Sequence, residues 1–501
     1  MRKKLMFIGS ISASLVLIAS LLIISCSKET AERPNNELKA CTPTTIVPYI
    51  QVNGGSWQQT SSVTVSSGTT VKFGPQPTSG GSWSWSGCGA SGTAREQTVH
   101  PTSTCTSTAT YTNSCGAKST QNFVVTVSGG GGGPTATINL SSVQQSIDGF
   151  GAATVWNGQL TDAEANAAFN TGSGQMGLSI CRVRFDPGGN DVDEKSNASK
   201  AKSRGAKILA SVWSPPASMK SNNSTIGGSL NSSSYAAYAT WLSNERSSFG
   251  NIDVVSIQNE PNISVSYESC SWTAAQLQTF CQNNAQNIGG SVMMPEAYNF
   301  DISYSDPTLN NSTSASHISY IGGHLYGGSP FTYTNALNKG KKVWMTEHYL
   351  NPDDIGTCLT MAKEINDCMT NNMSAYVWWY VKQPDCNLMN AGGSLKKKGY
   401  TISQYARFVR PGYQRVDATY NPTGSVYVSA YKGSKIVVVA VNQGGSSVNL
   451  TFTYQNGTVT SVTKYTTSGS KNANNDGSIN VTGGSFSTTL DAQSITSFVQ
   501  N

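Results

Sequence analysis

The sequence predicts an α/β fold built on an eight-stranded parallel barrel, and three observations carry that expectation. Eight short apolar runs recur between Ile147 and Tyr380, with helical or loop stretches between them. Several of the runs are continuously hydrophobic, the pattern of strands covered on both faces. Eight β–α units over about 250 residues is also the usual size of a (β/α)8, or TIM, barrel.

In order, the runs are IDGFGAAT from Ile147, LSICRVRF from Leu178, AKILASVW from Ala206 and DVVSIQNE from Asp253. They continue with SVMMPEAY from Ser291, HISYIGGHLY from His317, KVWMTE from Lys342 and SAYVWWYV from Ser374. Helix-like stretches between them include Ser234 to Leu242 and Thr273 to Phe280. The active site of such a barrel lies at the C-terminal ends of its strands.

Two strands end in a carboxylate. Glu260 closes the fourth run and Glu347 the seventh, 87 residues later. An apolar strand rarely admits a charge, because burial would strip it of water. Either residue alone reads equally well as a surface acid. Together on one barrel face, they suit glycoside hydrolysis, where one carboxyl donates a proton and the other attacks. Asn259 can hydrogen-bond a sugar hydroxyl beside the cleavage point. Trp156, Trp213, Tyr298, His324, Tyr326, Trp378, Trp379 and Tyr380 also lie at or just beyond strand ends. Aromatic faces there can stack on pyranose rings, although a barrel tryptophan is more often core. His324 has a bland alternative too, a neutral histidine that orients a neighbour. Glu296 reads as a hydrogen-bonding group at the rim and not as a catalyst. The four histidines, at 100, 317, 324 and 348, lack metal-ligand spacing, and no cofactor motif occurs, so neither a metal nor a cofactor is expected.

These strings resemble glycoside hydrolase family 30, most closely its xylanase subfamily. The resemblance runs from about Ala136 to Asn501 and includes IDGFG, WSPP at Trp213, SIQNEP at Ser256, GHLYG at Gly323, WMTE and AYVWWY. It continues through FVRPGYQRVDAT from Phe408 and VYVSAYKGSKIVVVAVN from Val426 to the closing QSITSFVQN. It implies a retaining endo-β-1,4-xylanase with Glu260 as acid/base and Glu347 as nucleophile, the carboxyls about 5–5.5 Å apart. Glu260 must then hold its proton while Glu347 is ionised, and no metal is needed. The resemblance also implies an attached C-terminal β-sandwich side domain of about residues 410–501 plus 135–146, beside a barrel of about 147–409. The alternating runs Val426 to Ala430, Lys435 to Val441 and Val448 to Tyr454 read independently as antiparallel strands. Members that require a glucuronate branch carry arginine after the Trp-Trp-Tyr run. This chain has Val381-Lys-Gln-Pro-Asp-Cys386 there. Lys382 offers a point charge without the bidentate fork, and Asp385 adds repulsion, so plain or arabinose-bearing xylan is the expected substrate. The alternatives are a glucuronoxylan-specific enzyme, an exo-acting xylosidase or xylobiohydrolase, and a non-catalytic glycan-binding lipoprotein. Two retained carboxylates speak against the last.

At the front, Arg2, Lys3 and Lys4 precede an apolar stretch from Leu5 to Ile24 and then Cys26. Residues 1–25 read as a signal peptide, and Ile23-Ile-Ser-Cys26 resembles a bacterial lipoprotein box, with Cys26 acylated and the chain anchored at the outer membrane or cell surface. Ordinary secretion is the alternative. Removing residues 1–25 drops three basic residues and no acidic one, so the formal charge falls from +6 to +3. That is too mild for nucleic-acid binding. The expected partner is xylan, and the expected state a monomer. Residues 26–40 read as a polar tether and 128–134 as a flexible Gly-rich linker. Between them, 41–127 alternates with period two and resembles an immunoglobulin-like β domain. Its Trp57, Trp83 and Trp85 read as core more readily than as a glycan-binding face.

Eleven cysteines suggest disulfides in an exported protein. Cys41, Cys88, Cys105 and Cys115 admit three pairings, and Cys270 is expected to bridge Cys281. Cys358 and Cys368 lie too far apart on one helix to pair, though one could reach Cys386. Cys181 reads as a buried thiol.

Overall fold

In a computed structural model, residues 41–501 are described, apart from 66, 67, 103, 128–132 and 383–385. The signal segment, Cys26, the tether and Asp385 therefore lie outside the described residues. Eight parallel strands close a barrel in sequence order. They are β1 (Gly149–Ala153), β2 (Ile180–Arg184), β3 (Lys207–Ser211), β4 (Val254–Ser256), β5 (Ser291–Ala297), β6 (Tyr320–His324), β7 (Lys342–Glu347) and β8 (Ala375–Trp378). β8 pairs with β1 to complete the circle. Both expected helices form, as Tyr235–Phe249 and Ala274–Asn283.

Side chains alternate in and out along a strand. The inward set fills the barrel floor with Ile180, Leu209, Val254, Met293, Tyr320, Trp344, Ala375 and Val377, which form one buried cluster. The outward set, including Cys181, Val183, Ile208, Met294, Met345 and Tyr376, packs into the layer beneath the helices. This alternation corrects one expectation. Val377 points in, so Trp378 points out: it is fully buried in the outer layer, its Nε1 donating to the Cys386 carbonyl at 2.6 Å. Trp378 is a core residue with no access to the cleft.

A nine-stranded sheet, with its own apolar core, takes strands from 414–500 plus Thr135–Ser146. The latter pairs antiparallel with Gln414–Ala418 and parallel with Val448–Gln455. The segment before the barrel forms a three-stranded and a four-stranded sheet over a core that contains Phe73, Tyr111 and Phe123. Trp83 and Trp85 are buried in that core, whereas Trp57 is about one-third exposed, so the three form no common face. Cys41 bonds Cys115 and Cys88 bonds Cys105, which selects one of the three pairings.

The expected Cys270–Cys281 bridge is absent. Both are buried thiols: Cys281 faces Thr308 from the helix Ala274–Asn283, while Cys270 faces Lys220 and the Leu230 backbone. Cys358 and Cys368 are also thiols, so neither is bonded to Cys386. No helix among the described residues is long and apolar enough to cross a membrane.

Candidate active site

Strand alternation alone would not bring three carboxylates together: Glu260 keeps the inward parity of Val254, but Glu296 and Glu347 depart from theirs. Trp344 points in and Met345 out, so strict parity would turn Glu347 outward. A register shift at the end of β7 instead brings Glu347 opposite His324 of β6. A second shift, between Pro295 and Ala297 of β5, turns Glu296 inward. Irregularities of this kind re-aim a side chain without ending the strand. Glu296 and Glu260 also hold positive φ, +48° and +45°. Left-handed backbone costs a non-glycine residue about 1–2 kcal/mol, so the surrounding packing must hold it. Gly322 makes the room: a Cβ there would lie 2.7 Å from Met293 Sδ and 3.0 Å from Glu296 Cγ.

Arg182 organises the group. It lies two residues above Ile180 on the inner face of β2 and is fully buried. Its Nε donates to Ser211 Oγ at 2.9 Å, and its other nitrogens to Glu347 Oε2 at 2.5 Å and Asn259 Oδ1 at 2.7 Å. Glu296 Oε2 lies 3.1 Å away, and the guanidinium sits 4.7 Å from the Trp213 ring centroid. Burial opposes the charge on Arg182, but Glu296 and Glu347 more than offset it and raise the pKa. Burial likewise works against ionised Glu296, yet Arg182 and then His324 bring its pKa down to about 2. Ser211 Oγ donates to Glu296 Oε1 at 2.7 Å, and Glu296 is fully buried, below the rim where it was expected.

His324 is not the neutral histidine of the bland reading. Its Nδ1 lies 2.8 Å from Glu260 Oε1, and its Nε2 lies 3.8 Å from Glu296 and 4.0 Å from Glu347. Burial pulls its pKa down, but Glu347 and then Glu260 and Glu296 push it up to about 9. When Glu260 is ionised, the imidazolium donates to it. Tyr326 Oη donates to Glu347 Oε1 at 2.6 Å and keeps its proton, its pKa raised by burial and by Glu347. Both oxygens of Glu347 thus accept hydrogen bonds, one from a cation.

One oxygen of Glu260 and one of Glu347 lie within 4.8 Å of each other, and a His324 nitrogen lies within the same distance of each. Three such atoms resemble a ligand set. Here, however, the buried guanidinium of Arg182 already supplies a cation to Glu347, so the group does not fit a metal. Above the carboxylates opens a cleft of about 610 Å³, walled by Trp156, Trp213, Tyr298, Tyr326, Trp379 and Tyr380. Tyr298 stacks on Tyr326 with ring centroids 5.7 Å apart, and Trp379 lies against Trp213 at 5.7 Å. Tyr267 and Tyr349 line it too, though the sequence reading did not single them out. A larger hollow of about 750 Å³, lined by Asn53, His100, Asp417 and Tyr420, is remote from these carboxylates.

Over 388 residues the chain is 36% identical to glucuronoxylanase XynC of Bacillus subtilis (strain 168), an alignment covering 73% of this chain and 91% of the relative. The solved family 30 subfamily 8 xylanase Xyn30A from Clostridium acetobutylicum is 43% identical, with 73% and 99% covered and a TM-score of 0.71. The chain belongs to glycoside hydrolase family 30. This family 30 chain also matches a family 30 endoxylanase from Clostridium papyrosolvens C71, at 39% identity, 73% and 100% coverage and a TM-score of 0.69. No family model matches it. As a member, it is a glycoside hydrolase.

Within this family 30 site, Glu260, Glu347, Asn259, His324, Tyr326, Trp156, Trp213, Tyr298, Trp379 and Tyr380 converge, and Trp378 does not. Arg182 is the important residue that the sequence reading passed over. Its signal was available: an arginine in the middle of the apolar run LSICRVRF must find a buried counter-ion.

Proposed function

We propose that this protein is a retaining endo-β-1,4-xylanase whose cleavage does not depend on glucuronate branches. The observation that carries the reading is the pair Glu260–Glu347, within 4.8 Å in an aromatic-walled cleft. That spacing suits direct attack better than a water-mediated displacement, which needs about 6.5–9.5 Å between carboxyls. Glu347 attacks the anomeric carbon while Glu260 passes its proton to the leaving glycosidic oxygen. Arg182 and Tyr326 fix both Glu347 oxygens for attack. Esterification removes the charge on Glu347, and Glu296 then remains as the counter-ion of Arg182. Glu260, now ionised and held by His324, takes a proton from the water that releases the sugar. Asn259 gives its oxygen to Arg182, which leaves its amide N–H groups for a sugar hydroxyl.

Xylan as the substrate follows from the relatives, which are named glucuronoxylanase, xylanase and endoxylanase. Independence from glucuronate rests on the charges near the cleft. Lys382 Nζ is bonded to Glu164 Oε2 at 3.0 Å, and Arg184 is bound by Glu268 and Asp186. Among the described residues, Arg182, Arg184 and Lys382 are thus each already paired. Lipid anchoring through Cys26 is part of the same proposal, and loss of palmitate labelling in Cys26→Ser checks it.

The test is a product profile on glucuronoxylan, arabinoxylan and undecorated linear xylan, with Glu347→Gln as control. Mixed oligosaccharides from all three, abolished in the variant, support the reading. Cleavage confined to glucuronoxylan refutes glucuronate independence, and release of only xylose or xylobiose refutes endo action.

A further inference from the structure

We infer that Arg184 and Glu268 form a clasp that positions Trp156 and Tyr267 for a sugar ring of the xylan backbone, an inference that rests on the xylan reading above. Arg184 ends β2 two residues above Arg182, which brings it to the cleft rim. Its Nε donates to Glu268 Oε1 at 3.0 Å and one terminal nitrogen to Oε2 at 2.5 Å, a two-pronged carboxylate contact. The other terminal nitrogen donates to Asp186 at 2.8 Å. All three guanidinium nitrogens are therefore committed within the protein. The bridge is shielded, with Arg184 only 8% exposed, so charge-assisted bonding is stronger here than in a surface pair.

Each end of the clasp carries an aromatic wall. The guanidinium lies 5.5 Å from the Trp156 ring centroid, within cation–π range. Trp156 itself holds φ +56°, a strained backbone that needs outside support, and its backbone N–H bonds the buried carboxylate of Glu194. Glu268 follows Tyr267 directly, in the loop after β4. That loop is secured by Lys220 Nζ, which donates to the Ser269 carbonyl at 2.5 Å, and by a bridge between Ile226 and Glu268. Trp156 and Tyr267 are 43% and 47% exposed, and both line the cleft with Glu260 and Glu347. Neither Arg184 nor Glu268 bonds either of those carboxylates. They are positioning residues that hold two aromatic walls at a fixed gap before substrate arrives, which lowers the ordering loss on binding. The planar fork is essential to this, because a lysine ammonium cannot grip both carboxylate oxygens in one plane.

The experiment measures kcat and KM on xylohexaose at 25 °C for the full chain, for Glu268→Gln, Arg184→Met and Arg184→Lys, and for Trp156→Ala alone and with Glu268→Gln. The expected result is a KM about tenfold higher in Glu268→Gln and Arg184→Met, a smaller rise in Arg184→Lys, and kcat within about threefold throughout those three. The combined variant is expected to raise KM by less than the product of its two single effects, because both changes act on Trp156. A merely structural bridge gives a different pattern: a lost folded fraction lowers apparent kcat and leaves KM alone. That pattern, unchanged KM, or full multiplicativity with Trp156→Ala overturns the clasp while leaving xylan cleavage intact. Failure of the wild-type chain to cleave xylohexaose overturns the xylan reading and the clasp together.

Discussion

Arg182→Met removes the guanidinium that Glu296 and Glu347 share. The side chain is fully buried, so its loss is not screened by solvent. Deleting one partner of a buried ion pair costs about 3–5 kcal/mol, because the remaining charge is stranded. Here two carboxylates lose their guanidinium, and among the described residues the cation left near them is His324, whose Nε2 lies at 3.8 and 4.0 Å. A kilocalorie moves Tm by about 2–4 °C in a domain of 150–250 residues and by less in a larger one, so a fall of about 5–10 °C is expected. The rate should fall further than folding explains. A hydrogen bond to a charged group contributes about 1.5–3 kcal/mol, and Arg182 holds both Glu347 and Asn259. Differential scanning calorimetry and initial rates on linear xylan at pH 7, taken well below Tm, separate the two effects. We expect kcat/KM to drop about 10²- to 10³-fold, with Arg182→Lys intermediate in both measurements. A Met variant within 2 °C of wild-type Tm and within threefold of its kcat would refute the organising part assigned to Arg182.

His324 sets an alkaline limit. Its pKa rises from 6.5 to about 9 on folding, so its contribution is complete below about pH 6.5 and is lost as pH climbs through 9. At about 1.36 kcal/mol per pH unit, that contribution is about 3 kcal/mol; urea midpoints in His324→Gln should lose this part of the slope between pH 6.5 and 9. Glu296 works in the opposite direction, its pKa depressed to about 2. Its contribution is present above about pH 4.5 and fades as pH falls toward 2, so Glu296→Gln should flatten the acid limb of the same titration. Trp378 and Trp379 should part company: Trp378→Ala lowers Tm by several degrees at wild-type KM, while Trp379→Ala raises KM for xylohexaose several-fold. Equal KM effects from the two would contradict the in-and-out assignment of β8.

What the sequence made legible was periodic or positional. Continuous apolar runs marked the eight strands, and the carboxylates Glu260 and Glu347 stood out because each closes one. Alternation, applied strictly, would also have placed Trp378 in the core, since Tyr376 and Trp378 share a face opposite Ala375 and Val377. Treating Trp378, Trp379 and Tyr380 as one aromatic block hid that. The register shifts that turn Glu296 and Glu347 inward had no local signature. They arise where neighbouring strands must fit around Gly322 and His324, a tertiary fact. Cys270 and Cys281 were joined on loop proximity alone, which says nothing about the direction of the two thiols. Arg182 was readable, as a cation in the middle of a buried strand, but its partners come from β3, β5 and β7 and the turn beyond β4, and only the closed barrel brings them together.

The most direct test of the account is to trap the glycosyl-enzyme. A 2-deoxy-2-fluoro-β-xylobioside with a good leaving group slows release of the sugar, so the covalent species accumulates and can be located by peptide mass spectrometry. The account expects one fluoroxylobiosyl group per chain, on the peptide that contains Glu347, and no adduct in Glu347→Gln. Turnover of xylan without any adduct and with inverted product stereochemistry, or an adduct on Glu260 or Glu296, would contradict it.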